Sequence, residues 1–155
     1  MFPPCVLSLA ERYGTRTHNY LTEVDQQVTE CDGTRVDLHV KVLDDSVLER
    51  AKARGLDVLV YAPHFTRWST IQQRAETFSD DDLLVVPGRE IFTGPWYDRR
   101  HVLALDLDDP VPDFITLEAA MAELRRQDAT VLAPHPTFLS VSLGREQLRE
   151  YRDVI

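Results

Sequence analysis

Short apolar runs alternate with segments of helical period along most of the chain. The runs that predict β-strands are Arg35–Val40, Asp57–Ala62, Leu83–Val86, Val102–Leu107 and Ala129–Ala133. The segments whose apolar residues recur at helical spacing run from about 46 to 54, about 66 to Phe78, Leu117 to Arg126, and Arg145 to about Arg152. Strands that alternate with helices at this spacing favour an α/β fold with a largely parallel sheet.

Start and stop signals agree with several of these elements. Asp44-Asp45-Ser46 offers an N-cap and first-turn acid to the first helix, and Gly55 offers its end. The strand at Asp57–Ala62 is almost continuously apolar, as a strand covered on both faces should be. Gly94-Pro95 is a turn signal that ends the segment Gly88–Thr93, which follows the third strand.

The N-terminal segment, residues 1–34, shows no clear period. It contains Pro3-Pro4 and Asp32-Gly33, which are loop signals, and Leu21 to Val28 is its best candidate for a short helix. We therefore predict a poorly ordered extension at 1–34 and a single β/α domain at 35–155. A chain of 155 residues is long enough for one domain with a real core.

Composition and charge exclude several classes of function. The net charge of −9 argues against nucleic acid as an electrostatic partner, and 43% hydrophobic residues is typical of a globular protein. No apolar run approaches the roughly 20 residues of a membrane span, and the Cys5–Ala10 run lacks the basic start of a signal peptide. Cys5 and Cys31 form no disulfide framework. These features predict a cytoplasmic protein with no membrane partner.

Lysine is scarce: only Lys41 and Lys52 are present among 17 basic residues. An Asp-rich, Lys-poor surface suits solubility in high salt, so a halophilic, haloarchaeal source is one interpretation. The alternative is an ordinary acidic protein from a GC-rich genome.

Side chains that bind metals follow or precede the predicted strands. His39, His64, Glu90 and His135 lie at or just past the ends of four apolar runs, and His101 stands before the fifth. The carboxyl ends of parallel strands meet at one face of the sheet, where ligands bind. Imidazole and carboxylate are common ligands of zinc, manganese and iron. A single histidine in such a position is more often a hydrogen-bonded structural residue, but together these residues indicate a metal site.

These residues occur in segments that resemble the PHP (polymerase and histidinol phosphatase) domain family. The segments are Asp37-Leu38-His39-Val40, Gly55-Leu56-Asp57 with His64, Pro87-Gly88-Arg89-Glu90-Ile91, His101 to Leu105, and Ala133-Pro134-His135-Pro136. The resemblance implies a distorted, TIM-like β/α barrel that hydrolyses phosphoesters with divalent metal ions. It also implies that His39, His64, Glu90, His101 and His135 are metal ligands, with Glu90 bridging two ions.

The chain departs from the family pattern at several positions. Lys41 replaces the second histidine of the first motif, and Pro63 replaces the acid of the second motif. Asp44 or Asp45 would have to replace a ligand of the shortened loop, although both serve equally well as helix caps. The chain ends at Ile155, before the family's remaining strands and its Asp-x-His motif, so we expect a partial barrel, incomplete at its C-terminus. A partial barrel implies a missing C-terminal half or self-association.

The leading hypothesis is a PHP-type phosphoesterase, intact or degenerate, that acts on a phosphorylated small molecule; the alternative is a non-catalytic PHP-like structural or regulatory protein. Metal-activated water would attack phosphorus in the first case. Candidate phosphate-binding residues are Arg67, Arg89, Arg99 and Arg100, although each is individually more typical of a solvated surface. Trp68, Trp96 and Tyr97 either wall a pocket beside the site or pack under loops.

Overall fold

The computed structural model describes residues 33–136 and 140–155, and these form a mixed α/β fold. The strands are β1 (Val36–Val40), β2 (Val58–Tyr61), β3 (Leu84–Thr93), β4 (Arg100–Leu105) and β5 (Thr130–Leu132). The helices are α1 (Asp45–Ala53), α2 (Trp68–Phe78), α3 (Leu117–Arg126) and α4 (Arg145–Glu150), with a 3₁₀ turn at Trp96–Asp98. None of the helices in these ranges is long and apolar enough to cross a bilayer.

The five strands form one curled sheet, half of a barrel, in the order β1-β2-β3-β4-β5. β1, β2 and β3 are parallel, but β4 is antiparallel to both β3 and β5. The prediction of a largely parallel sheet was therefore wrong for the second half of the sheet. The connection from β3 to β4 spans only residues 94–99, which is too short for the crossover that parallel strands need.

β3 is longer than predicted, because it continues through Pro87-Gly88 to Thr93. Up to Pro87 it pairs with β2, and from Gly88 onward it pairs with β4. Gly88 allows a close approach at this change of partner: a Cβ added there would lie 2.7 Å from Val60 Cγ1. The sequence predicted that the strand ends at Val86, but the strand continues and changes its neighbouring strand just after that residue.

The helix caps follow the sequence signals. The side chain of Asp44 accepts a hydrogen bond from the backbone N–H of Val47, and Gly55 ends the segment after α1 with φ of 67°. Thr116 caps α3 in the same way, through the N–H of Ala119. Asp44 is therefore a helix cap, one of the two roles that the sequence left open for it.

The sheet buries apolar residues on both faces. The larger cluster joins strand residues such as Leu59, Ile91 and Val102 to the helices, with Ile71 and Leu124 fully buried. A smaller cluster lies on the opposite face and consists of Val60, Ala62, Leu103 and Leu105, with Val86 and Leu132 packed against it. Because side chains alternate along a strand, Glu90 falls on the same face of β3 as Val86. The site around Glu90, described below, therefore lies on the same face of the sheet as this smaller apolar cluster.

The predicted extension lies almost wholly outside the described residues, as do the candidate helix at Leu21–Val28 and His18. The boundary at residue 34 stays a prediction.

Candidate metal centre

A single buried carboxylate, Glu90, lies among four imidazoles; the side chain is 1% exposed. Its Oε2 lies 2.9 Å from His39 Nε2 and 3.0 Å from His64 Nε2. Its Oε1 lies 2.9 Å from His101 Nδ1 and 3.4 Å from His135 Nε2. The structure therefore brings together all five residues that the sequence nominated as ligands, with two histidines beside each carboxylate oxygen.

The sheet brings these side chains together even though it is not all parallel. His39 lies in β1 and Glu90 in β3, while His64 and His135 follow β2 and β5. His101 is near the start of β4, but β4 runs antiparallel and pairs His101 with Phe92, near the carboxyl end of β3. The amino end of β4 thus lies at the same edge as the carboxyl ends of its neighbours.

The backbone next to two of the histidines adopts conformations that L-residues rarely take. His135 has φ of 37°, and Phe65, directly after His64, has φ of 49°. Such residues each cost about 1–3 kcal/mol and are concentrated at functional sites. The strained backbone therefore lies where the chain directs the two imidazoles towards Glu90.

The imidazoles are neutral at neutral pH. Burial, with a smaller effect of Lys41, lowers the pKa of both His64 and His101 to about 4. Burial is also the main reason that the pKa values of His39 and His135 are lowered. A neutral imidazole has a lone pair to donate, which is the form that binds metal ions.

Several polar atoms of the cluster are buried without a hydrogen bond within the described part of the chain. They include Glu90 Oε1 and both ring nitrogens of His101. His101 Nδ1 and Glu90 Oε1 lie 2.9 Å apart, yet their geometry is not that of a hydrogen bond. Atoms that share a tetrahedral zinc ion lie about 3.3 Å apart, since each is about 2.0–2.1 Å from the metal. A cation would satisfy these atoms, so the donor set fits a divalent metal ion.

His64, Glu90 and His101 form a compact group of three potential metal ligands. One ligand atom from each lies within 4.8 Å of the others. These three residues alone offer two nitrogens and a carboxylate oxygen, a set that suits zinc, manganese or iron.

Ser142 orients His135, a role that the sequence did not indicate. Its Oγ donates a hydrogen bond to the carbonyl oxygen of His135 at 2.6 Å and lies 2.9 Å from His135 Nδ1. Because the hydroxyl has one proton, Nδ1 must donate in the second contact. The lone pair of His135 is then on Nε2, the nitrogen that faces Glu90. Ser142 reaches this place because His101 N–H bonds to the carbonyl of Val141 at 2.8 Å.

Lys41 also reaches the cluster. Its ammonium contacts Oε2 of Glu90 and donates a hydrogen bond to the carbonyl oxygen of Ala62 at 3.1 Å. Burial lowers the pKa of Lys41 to about 8, which leaves it cationic at neutral pH. A positive charge is therefore held at one of the two carboxylate oxygens.

Aromatic rings wall one side of the cluster. The Phe92 ring lies 4.2 Å from the His101 ring and 4.4 Å from the His64 ring, between ring centroids. Phe65 packs on Phe92 at 4.8 Å. Phe92 was not among the site residues predicted from the sequence, although its position two residues after Glu90 on one strand was a usable signal.

The four candidate arginines differ in their surroundings. Arg89 is buried and paired with Asp113 at 2.7 Å, and Arg100 is paired with Asp98 at 2.7 Å. Arg99 lies over the Trp96 ring at 4.3 Å. Arg67 precedes α2 and is exposed. The structure thus places none of the four in contact with Glu90 among the described interactions.

A cleft of about 660 Å³ lies beside α2 and contains two of these arginines. Its lining residues are Phe65, Thr66, Arg67, Trp68, Ser69, Gln72, Arg89, Pro110 and Asp113. Trp68 borders this cleft and also packs in the main core cluster, whereas Trp96 and Tyr97 are largely exposed.

Comparison with solved structures gives a distant likeness. No protein-family model and no curated protein matches the chain. Among solved structures, it is similar to a two-domain protein from Bacteroides vulgatus that contains a predicted PHP-like metal-dependent phosphoesterase, with 19% sequence identity and a TM-score of 0.45. The match covers 77% of this chain but only 41% of that protein. A likeness this distant assigns the chain to no family and says nothing about its activity.

Proposed function

We propose that this protein is a metal-dependent phosphoesterase of PHP type, which hydrolyses the ester of a phosphorylated small molecule. The observation that supports this proposal is the buried carboxylate of Glu90 with two imidazoles at each oxygen. The order of these residues in the sequence resembles the PHP motifs, which supports phosphate esters as the substrate class.

The residues proposed to hold an ion are Glu90, His101 and His135, and His39 and His64 are the remaining proposed ligands, at the other carboxylate oxygen. A divalent zinc, manganese or iron ion bound here supplies Lewis acidity, which lowers the pKa of an attacking water and neutralises charge on the phosphate. The histidines contribute lone pairs, because burial keeps them neutral. Phe92 shields one side of the cluster from water, which strengthens electrostatic interactions there.

Arg67 is the best of the four proposed phosphate-binding arginines. It lines the cleft, as does Arg89, but Arg89 and Arg100 are paired with carboxylates. A guanidinium that is free to form a two-pronged contact suits phosphate oxygens. The roles of Arg89, Arg99 and Arg100 as substrate ligands stay predictions.

The direct test is hydrolysis of p-nitrophenyl phosphate by the full chain, loaded separately with Zn²⁺, Mn²⁺ and Fe²⁺. We expect at least one metal to stimulate hydrolysis, and His101→Ala to lower the rate at least about tenfold. His18→Ala is the matched control, because the same change is made outside the proposed ligand set. A folded protein that binds none of the three metals would overturn the proposal.

A second candidate, a non-catalytic PHP-like protein with a structural or regulatory role, is favoured by one observation. The ammonium of Lys41 already neutralises Glu90 in part. This candidate predicts that the metal-loaded chain hydrolyses neither phosphate monoesters nor diesters, although it binds the ion.

A further inference from the structure

Glu90 offers two positions for a cation, one at each carboxylate oxygen. At Oε1 the neighbours are His101 and His135, and at Oε2 they are His39 and His64. Each position combines two imidazole nitrogens with one carboxylate oxygen, at separations between 2.9 and 3.4 Å. By donor type the two positions are equivalent.

The two positions differ in whether a cation from the chain already fills them. Lys41 Nζ contacts Oε2 and is held from a second side by the carbonyl oxygen of Ala62. Ala62 is itself fixed in the sheet, because its N–H donates to the carbonyl of Val40 at 2.9 Å. Oε1 has no hydrogen bond within the described residues. The cluster thus has a tethered ammonium at one oxygen and unsatisfied buried acceptors at the other.

Electrostatics makes a second ion beside Lys41 unfavourable. A divalent ion at Oε2 would lie within a few ångströms of a fixed positive charge, and like charges at that separation repel strongly in a partly buried site. The other oxygen, Oε1, has no hydrogen bond within the described residues, so an ion there meets an unsatisfied buried acceptor. Oε2 has two hydrogen-bonding neighbours, the ammonium of Lys41 and Nε2 of His39 at 2.9 Å, so both of its lone pairs are already engaged.

We propose that the ammonium of Lys41 replaces a metal ion at Oε2, so that the centre binds one divalent ion per chain, at Oε1 with His101 and His135. The inference rests on the metal binding in the proposed function and not on hydrolysis. It also assigns His39 and His64 a different role, in which they flank the ammonium in the wild-type chain.

The test is the number of ions bound, measured by titration calorimetry with Zn²⁺ and by elemental analysis after gel filtration of the full chain. We expect one zinc per wild-type chain. Lys41→Met keeps the length of the side chain and removes its charge, so we expect a second zinc to bind. Lys41→His adds a ligand at the same place and should give the same increase if the methionine variant folds poorly.

Lys52→Met is the matched control, because it changes the other lysine, which pairs with Asp80 on the surface. It should bind one zinc, like the wild type. Two ions in the wild-type chain, or one ion in both Lys41 variants, would overturn the inference while leaving the proposed function intact. A folded wild-type chain that binds no ion would overturn the inference together with the metal binding on which the proposed function depends.

Discussion

At the scale of single residues, the candidate centre depends most on the carboxylate of Glu90. All four histidines approach its two oxygens, so its carboxylate is the one group that the four imidazoles share among the described contacts. Glu90→Gln keeps the shape and removes the charge. We expect this substitution to reduce metal content more than any other single substitution. The affinity for the metal should fall by at least about tenfold.

Elemental analysis of the dialysed variant checks this prediction. His18→Ala is the control, and it should retain the metal content of the wild type. Equal metal content in the two variants would show that Glu90 is not a ligand.

Ser142 gives a second prediction at this scale. Ser142→Ala removes the hydroxyl that accepts from His135 Nδ1, and with it the constraint that places the lone pair on Nε2. Residues that orient a metal ligand typically change metal affinity by about 10–100-fold. We expect a loss of that size in a zinc titration.

The control for Ser142 is Ser140→Ala, because Arg100 contacts only the main-chain oxygen of Ser140 in the described interactions. That contact survives the substitution, so zinc affinity should not change. A purely structural role of Ser142 would instead lower the melting temperature of the metal-free protein and leave zinc affinity untouched.

The sequence could nominate His39, His64, Glu90, His101 and His135 because strand ends meet at one edge of a sheet. The roles of other residues around the site could not be predicted from the positions of strand ends. Ser142 lies seven residues beyond His135, and its contact accompanies the hydrogen bond that joins the neighbouring Val141 carbonyl to His101 N–H on β4. Such a contact has no period in the sequence.

At the scale of elements, Asp44 tests whether the loop after β1 contributes to the site. Its carboxylate caps α1 by accepting from Val47 N–H at 3.0 Å. Asp44→Ala should therefore lower the free energy of unfolding by about 1 kcal/mol and leave zinc affinity unchanged. Asp44→Asn, which keeps a good cap, should be nearly neutral in urea unfolding. Loss of zinc binding in both variants would instead identify Asp44 as a ligand.

The sheet shows where local patterns fail at this scale. Helix bounds such as Leu117–Arg126 were predicted correctly, because period, cap and length agree within one segment. The course of β3 was not, because Pro87-Gly88 looks like a break unless the pairing is known. The change of partner at these residues is a tertiary feature: Pro87 is opposite Tyr61, and Gly88 is opposite Leu105.

At the scale of the whole molecule, the position of the site depends less on the direction of β4 than on the curl of the sheet. Reversing β4 moves His101 from the end of a strand to its start, and the imidazole still reaches the same edge. The apolar cluster of Val60, Leu103 and Leu105 lies on the same face as the site and is buried. The centre thus combines a buried apolar floor with polar side chains at one edge, which is why its imidazoles are neutral.

Metal binding should therefore stabilise the whole fold, because ligands from β1, β3 and β4 and from the segments after β2 and β5 are brought together only in the folded chain. A ligand that binds only the native state adds about 2.7 kcal/mol at a hundred times its dissociation constant. For a protein of this size that corresponds to a rise of about 5–10 °C in melting temperature. Thermal unfolding with and without Zn²⁺, and again after chelation, measures the shift. Glu90→Gln should lower this shift by at least about half, since a tenfold loss of affinity removes about 1.4 kcal/mol, whereas Lys52→Met should keep it. An equal rise in wild type and Glu90→Gln would mean that zinc stabilises the fold from somewhere other than this centre.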